Sequence, residues 1–306
     1  MTTSVGGFLV RRALAALAFV LVVSTSTLVL ARFAPGDALT EMVLTGADAK
    51  TIAIERTRLG LDRSLLQQLG HWFGGLARFD LGTSSQYNRP VTALVADRAP
   101  KTALLAAVAL LIATCIGVPL GVLTGARPRG WLAMIVTPIS TLLVACPPLI
   151  GALALMLLAV TTGWLSISPG QLAVPALALA LPVAAMLERL QSQATSEVLG
   201  APDLIATSAR GVPPLRLLWV HAARQSLRPV LGVYGIVIGS LFSGSLAVEI
   251  VTAWPGLGRL MFDGLRSRDL FLVTGCALFG AFCLAAGNFL ADVARAFVDP
   301  RVREHA

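Results

Sequence analysis

The feature that most constrains this chain is a run of 58 residues, Gly130 to Leu187, without a single Asp, Glu, Lys or Arg. As one helix it would be a rod about 87 Å long at 1.5 Å per residue. A hydrocarbon core is only about 30 Å thick. The run must therefore cross a membrane, fold back and cross again. The polar segment Thr161-Thr-Gly-Trp-Leu-Ser-Ile-Ser-Pro-Gly170 carries the Gly and Pro signals of the turn. Composition agrees: 56% of the 306 residues are hydrophobic and 13% charged, about half the roughly 25% charge of a soluble domain. A soluble enzyme is excluded.

Four further charge-free stretches are long enough to span: Ala13–Ala31, Thr102–Ala126, Pro229–Val248 and Leu270–Ala291. The expected fold is therefore an all-α integral membrane protein with six transmembrane helices. Arg11 and Arg12 before the first stretch also fit a signal peptide. Its apolar length exceeds the roughly 7–15 residues of a signal h-region, and no small-x-small site follows, so a retained anchor is expected. The net charge of +8 sits on arginines at the ends of apolar runs, a pattern of membrane topology rather than of nucleic-acid binding. With the N-terminus inside, inner segments hold twelve arginines and the two short outer loops only Arg259, Arg266 and Arg268. Both termini are expected in the cytoplasm. Cys115, Cys146, Cys276 and Cys283 lie in apolar runs and read as small buried hydrophobes.

Two polar segments exceed mere turns. Arg32 to Lys101 reads as an external subdomain, with a helix around Asp48–Leu59, a break at Gly60-Leu-Asp62 and an amphipathic stretch Ser64–Phe79. Leu65, Leu66, Leu69, Trp72, Phe73 and Leu76 form its apolar side. Asp80-Leu-Gly82 and Asn88-Arg-Pro90 mark turns. This subdomain either packs over helix ends or forms a docking or gating surface. The second segment, Glu188 to Arg228, predicts a helix Leu204–Arg210 with Asp203 as N-cap, ended at Gly211 and separated by Val212-Pro-Pro214 from an amphipathic helix Leu215–Arg228. This is either a stiff projecting elbow or a helix pair lying among lipid headgroups. The domain plan is thus 1–31 (N-terminal segment and first helix), 32–101 (extracytoplasmic subdomain), 102–296 (five-helix core with internal loop 189–228) and 297–306 (tail).

Within the spans, Gly117, Gly121 and Gly125 make overlapping small-xxx-small steps around Pro119, and Gly235 with Gly239 makes another, allowing close helix approach. Pro138, Pro147 and Pro148 should kink or break the third helix. These are the candidate packing and hinge residues. Glu249 and Asp292 lie near predicted span ends, where interfacial roles are expected. No G-x-x-x-x-G-K-[ST] loop, G-x-S-x-G elbow or H-E-x-x-H pair occurs, and His71, His221 and His305 are scattered. No catalytic, cofactor or metal site is expected; energy for uphill work would come from a partner or an ion gradient.

The sequence resembles the membrane permease subunits of ATP-binding-cassette importers, in the dipeptide/oligopeptide and nickel branch. The matching blocks run almost end to end: Arg11-Arg12 and Ala34-Pro35-Gly36-Asp37, Leu59-Gly-Leu-Asp62, Gly74-Gly-Leu-Ala-Arg-Phe-Asp-Leu-Gly82, Arg89-Pro-Val91, Ile116-Gly-Val-Pro-Leu-Gly-Val122, Glu249 with Trp254-Pro-Gly-Leu-Gly-Arg259 and Arg268-Asp269, and Asp299-Pro-Arg301. The family's ATPase-coupling loop maps onto Ala206, Thr207, Ser208, Ala209, Arg210 and Gly211, followed by Arg216 and His221. Departures are Pro202-Asp203, where the family often has an acidic-aromatic pair, and Ile205 in place of a glutamate.

The resemblance implies the type I importer arrangement in a cell membrane. It implies pairing with a second, similar permease, two ATP-binding subunits below and an extracytoplasmic solute-binding protein above. Peptides are the expected cargo, with nickel, glutathione or another small solute as alternatives. No cofactor, enzymatic activity or nucleic-acid partner is implied. The contrasting readings are an ion-coupled secondary transporter, which should show midplane ionisable residues and an inverted repeat, and a non-transporting scaffold.

Overall fold

A computed structural model describes residues 5–33, 39, 40, 43, 45–58, 60, 62–163 and 170–298. The Ala34–Asp37 and Asp299–Arg301 motifs, Leu59, His305 and most of the Thr161–Gly170 turn lie outside the described residues, as does the side chain of Asp292.

The elements among the described residues are helices, joined by turns and one isolated bridge between Thr83 and Pro90: α1 (Val5–Phe33), α2 (Ala49–Arg58), α3 (Leu65–Leu76), α4 (Val91–Ala126), α5 (Trp131–Ala145), α6 (Pro148–Thr162), α7 (Ala173–Leu199), α8 (Pro202–Ala209), a single turn α9 (Pro214–Arg216), a π-helical turn Leu217–Ala222, α10 (Ala223–Leu231), α11 (Tyr234–Val251), α12 (Leu257–Arg266) and α13 (Leu270–Val298). Five of these, α1, α4, α7, α11 and α13, contain apolar stretches long enough to cross a membrane, and the α5/α6 pair supplies a sixth. In lipid every backbone group must be satisfied within the segment, which is why such runs become helices.

The break between α5 and α6 follows from local sterics. A residue before proline is pushed out of the α region, and two such residues stand in a row. Cys146 lies at φ −84°, ψ 118° and Pro147 at φ −58°, ψ 141°, while Pro148 begins α6, where its missing N–H is no loss. The helices bend by 112°. Pro138, expected to share in this break, is instead accommodated inside α5. Gly163 closes α6 in the left-handed region at φ +64°, as a C-terminal glycine does.

The chain divides into two compact units, one of residues 11–102 and 255–286 and one of residues 1–10, 103–254 and 287–306. In the first, the buried core joins Leu28 of α1, Trp72 of α3, Leu94 and Val95 of α4, Leu257 and Leu260 of α12 and Leu272 of α13. The described residues of the 39–102 range thus share this core with α1, α12 and α13. Helix α3 starts with a reciprocal capping box: Gln67 N–H donates to Ser64 Oγ, and Ser64 N–H donates to Gln67 Oε1. Leu65, Leu69, Trp72 and Leu76 pack inward, and the Trp72 indole N–H donates to Ser24 Oγ at 2.9 Å. Leu66 and Phe73, expected on the same side, face outward instead, 80% and 40% exposed. Helix α4 begins at Val91, directly after Pro90, rather than at Thr102. Its first turns are held by core contacts of Val91, Leu94, Val95 and Ala99, which a count of uncharged residues does not register.

In the second unit α7 is the hub, packing against α5, α6, α8, α10 and α11. Leu179, Val183 and Leu187 join Leu105 and Ala109 of α4 and Val237 and Leu241 of α11 in one apolar core. The outer faces of α5 and α6 keep large apolar side chains exposed, among them Trp131, Met134, Leu142 and Leu157. Such a surface suits lipid or another membrane chain rather than water.

Candidate functional site

The segment after α7 forms the elbow expected from sequence. Pro202 takes the first position of α8, and Ala201, extended as a pre-proline residue must be, is its N-cap. Asp203 is thus not the N-cap. It sits in the first turn, where its charge opposes the positive helix end, and its Oδ2 accepts from Gln225 Nε2 at 3.1 Å. Only Leu204 of α8 is buried; Ile205, Ala206, Ser208, Ala209 and Arg210 are exposed, and Thr207 is half-buried with its hydroxyl donating to the Asp203 carbonyl at 2.7 Å. The helix closes as Gly211 N–H donates to Ser208 O at 3.0 Å, with Gly211 at φ +83°. Val212-Pro213-Pro214 then turns the chain into α9.

Beyond α9 the chain does not form one regular helix. Residues Leu217–Ala222, including His221, form a π turn between α9 and α10. A π turn absorbs roughly one extra residue, so the eight-residue step from Arg216 to Arg224 spans close to two turns. Arg216, Arg224 and Arg228 are all exposed, whereas His221 is half-buried.

Behind the elbow lies a polar joint. Gln191 and Thr195 of α7 and Ser226 of α10 are fully buried. Gln191 Nε2 donates to Ser226 Oγ at 2.6 Å and to Thr195 Oγ1 at 3.1 Å, and Thr195 and Ser226 hydroxyls meet at 3.2 Å. One turn earlier on α7, Glu188 is buried and its Oε1 accepts from Thr124 Oγ1 of α4 at 2.7 Å. Among the described residues the Glu188 Oε2 and Gln191 Oε1 atoms have no hydrogen-bond partner. Apolar contacts are non-directional and let helices slide. Short hydrogen bonds between buried groups do not, because leaving such a group unpaired costs about 1–3 kcal/mol.

The glycine stripe fastens the same stretch of α7 to α4. A Cβ on Gly121 would stand 2.6 Å from both the Glu188 carbonyl oxygen and Gln191 Cβ. One on Gly117 would strike the Ala184 carbonyl, and one on Gly125 the Ser192 carbonyl. Only glycine lets the two backbones approach this closely. Pro119 is carried within α4 between two of these crossings. Pro148, at the α5/α6 break, lies beside Gly244 of α11, and Thr114 of α4 meets the Tyr234 hydroxyl at 2.9 Å. The structure thus links the exposed Ala206–Gly211 surface to α10 through Asp203–Gln225, α10 to α7 through Ser226–Gln191, and α7 to α4 through the glycines. Pro147 and Pro148 lie apart from this chain, at the α5/α6 bend.

Sequence reading missed Glu188, Gln191, Thr195 and Ser226. The one available signal was spacing: residues 188, 191 and 195 are i, i+3 and i+7, a single face of a helix.

An all-α chain with five long apolar helices, a broken sixth and a capped helical elbow between spans is a multi-pass membrane protein built like a transporter permease. Comparison with known proteins makes this specific. Residues 117–304 match the family described as "Binding-protein-dependent transport system inner membrane component". Residues 6–106 match the corresponding N-terminal family, "Binding-prot-dependent transport system membrane comp, N-term". A protein of Brucella suis biovar 1 named as a permease protein of a peptide transport system is 33% identical over 308 residues, covering 96% of this chain and 98% of that one. A Brucella abortus protein named in the same way is 33% identical over 309 residues, with the same coverage. The Staphylococcus aureus "Nickel import system permease protein NikB" is 31% identical over 288 residues, 92% of this chain and 87% of that one. The chain therefore belongs to the permease family of binding-protein-dependent, ATP-binding-cassette importers, in its peptide and nickel branch, and has the type I importer fold.

Proposed function

We propose that the chain forms half of a translocation pathway for peptides, paired with a second, similar permease. In this reading the exposed elbow, Ala206 to Gly211 with Arg216 and His221, rests on cytoplasmic ATP-binding subunits, and both chain termini lie in the cytoplasm. A solute-binding protein delivers cargo to the opposite side, which residues 32–101 face. The observation that carries this reading is the hydrogen-bonded train from the elbow through Ser226 and Gln191 to α7, and on through the glycine stripe to α4. Closure of the ATPase pair would displace α8, and α10, α7 and α4 would follow with little slack. A helix pair lying in the headgroup layer would have no need of a buried polar joint beneath it.

Cargo follows the names of the Brucella relatives. Nickel is the second reading, carried by the Staphylococcus aureus relative. The test is to purify the tagged chain in mild detergent from its native host, identify what accompanies it, and reconstitute the assembly in proteoliposomes. The reading expects two P-loop ATPase chains, a second permease and ATP-dependent peptide uptake. Uptake of nickel but not peptides would establish the second reading. A lone chain, in a preparation that keeps other membrane complexes intact, would overturn both.

A further inference from the structure

Within the unit of residues 11–102 and 255–286, α3 is fastened to two membrane spans below their ends. The Trp72 indole N–H donates to Ser24 Oγ of α1 at 2.9 Å, and Ser24 is fully buried. Ser24 stands seven residues before Ala31, the last residue of the charge-free stretch of α1. At 1.5 Å per residue it lies about 10 Å from the end of that stretch, in a hydrocarbon core about 30 Å thick. The Trp72 ring also stacks on Phe271, the second residue of the apolar span Leu270–Phe289, with ring centroids 6.4 Å apart. Leu65, Leu69 and Leu76 join the same core as Leu28 of α1. Helix α3 is therefore packed at membrane depth rather than above the helix ends.

The residues of α3 that do not face this core are sorted. Leu66, Gly70, Phe73 and Ala77 follow one another at steps of four, three and four, so they share one side of the helix. All four are exposed, and an added Cβ at Gly70 would meet nothing within 4 Å. Among the described residues this apolar side is open. Gln67 and His71, one turn apart, form a separate exposed polar stripe. Water gives no reason to keep exposed apolar and polar residues apart in this way. The membrane boundary does: an amphipathic helix lying there puts its apolar side among acyl chains and its polar side toward headgroups and water.

We propose that α3 is an interfacial helix whose Leu66–Phe73 side is inserted among the lipid acyl chains of the leaflet on the side of residues 32–101. Val22 and Leu30 of α1, before and after Ser24 along the span, already expose large apolar side chains. At this depth the bilayer is thus the solvent of α1, and the open side of α3 continues that lipid-facing surface. The segment after α1 is then seated in the membrane instead of standing clear of it. This inference depends on neither the cargo nor the ATP-binding partners.

The test attaches a nitroxide spin label to Leu66→Cys, Phe73→Cys or His71→Cys, one at a time, in the full chain without its four native cysteines. Val22→Cys, exposed within the span, is the lipid-facing reference. Each chain, with circular dichroism matching the parent, is placed in nanodiscs of phosphatidylcholine and phosphatidylglycerol, alone and together with the subunits that copurify with it. Collisions of the label with oxygen, which partitions into acyl chains, are compared with those of a water-soluble nickel chelate. Labels at positions 66 and 73 are expected to favour oxygen as the reference does and to report a depth of about 5–10 Å below the headgroup boundary, while the label at 71 favours the chelate. Preference for the chelate at 66 and 73 overturns the proposal, since the apolar side then faces water. Shielding from both reagents overturns it too, since another protein chain then covers that side.

Discussion

Gly211 stands at the bend of the elbow with φ +83°, and an added Cβ there would meet nothing within 4 Å. Any penalty for a side chain is therefore backbone strain alone, about 1–2 kcal/mol for an L-residue in the left-handed region. Asn tolerates that region and β-branched residues do not. Gly211→Val should raise the ATP hydrolysed per solute imported, while Gly211→Asn stays near wild type; equal behaviour of the two would deny the bend its role. Position and conformation were legible here, because a glycine after an Ala-rich helix and before Val-Pro-Pro has few other uses. The open space around it was not. A second residue-scale effect concerns Tyr87, whose phenol is pushed above its ordinary 10.0 by burial and by the nearby Asp263 carboxylate. The protonated form is favoured in the folded state, so its contribution is fully present below pH 10 and is lost as pH rises through the raised value. The chain has two tyrosines. In a Tyr234→Phe background the phenolate absorbance should titrate above pH 10 in folded protein and fall back on unfolding. A folded midpoint at or below 10 would contradict the burial described.

At the scale of elements, the contact between α4 and α7 should be intolerant and the joint between α7 and α10 informative. Gly121→Val must push apart two backbones whose approach leaves no room for a Cβ. Overpacking of this kind costs about 1–3 kcal/mol, so the detergent-solubilised protein should melt several degrees lower; an unchanged melting temperature would deny the close crossing. Gln191→Leu and Ser226→Ala each break the buried joint. Both should raise the ATP consumed per solute without loss of assembly, and the double variant should be no worse than the poorer single one, because the two residues serve one contact. Strict additivity would show that they act separately. The glycine stripe could be read in advance because a spacing of four is a property of one segment of sequence. The joint could not, since Gln191 and Ser226 lie 35 residues apart on helices whose packing no local pattern fixes. The same holds for the early start of α4, set by tertiary contacts of Val91 and Leu94, and for the π turn at Leu217–Ala222, which ordinary helix-forming residues do not announce.

For the whole molecule, the count and order of spans followed from uncharged length, while orientation rests on arginine placement. In a variant lacking the four native cysteines, a membrane-impermeant maleimide should label exposed Thr51→Cys from outside intact cells and exposed Ser208→Cys only after lysis. The reverse pattern would invert the topology and put the elbow on the wrong side for ATP-binding subunits. The central claim is that the elbow is where such a subunit engages the permease. Its most direct test is a photocrosslinking amino acid at exposed Ala206, activated in native membranes, with the adduct identified by mass spectrometry. The account predicts an adduct with a P-loop ATPase chain, reduced by Gly211→Val. Adducts with lipid alone, from a permease that still imports its solute, would contradict it.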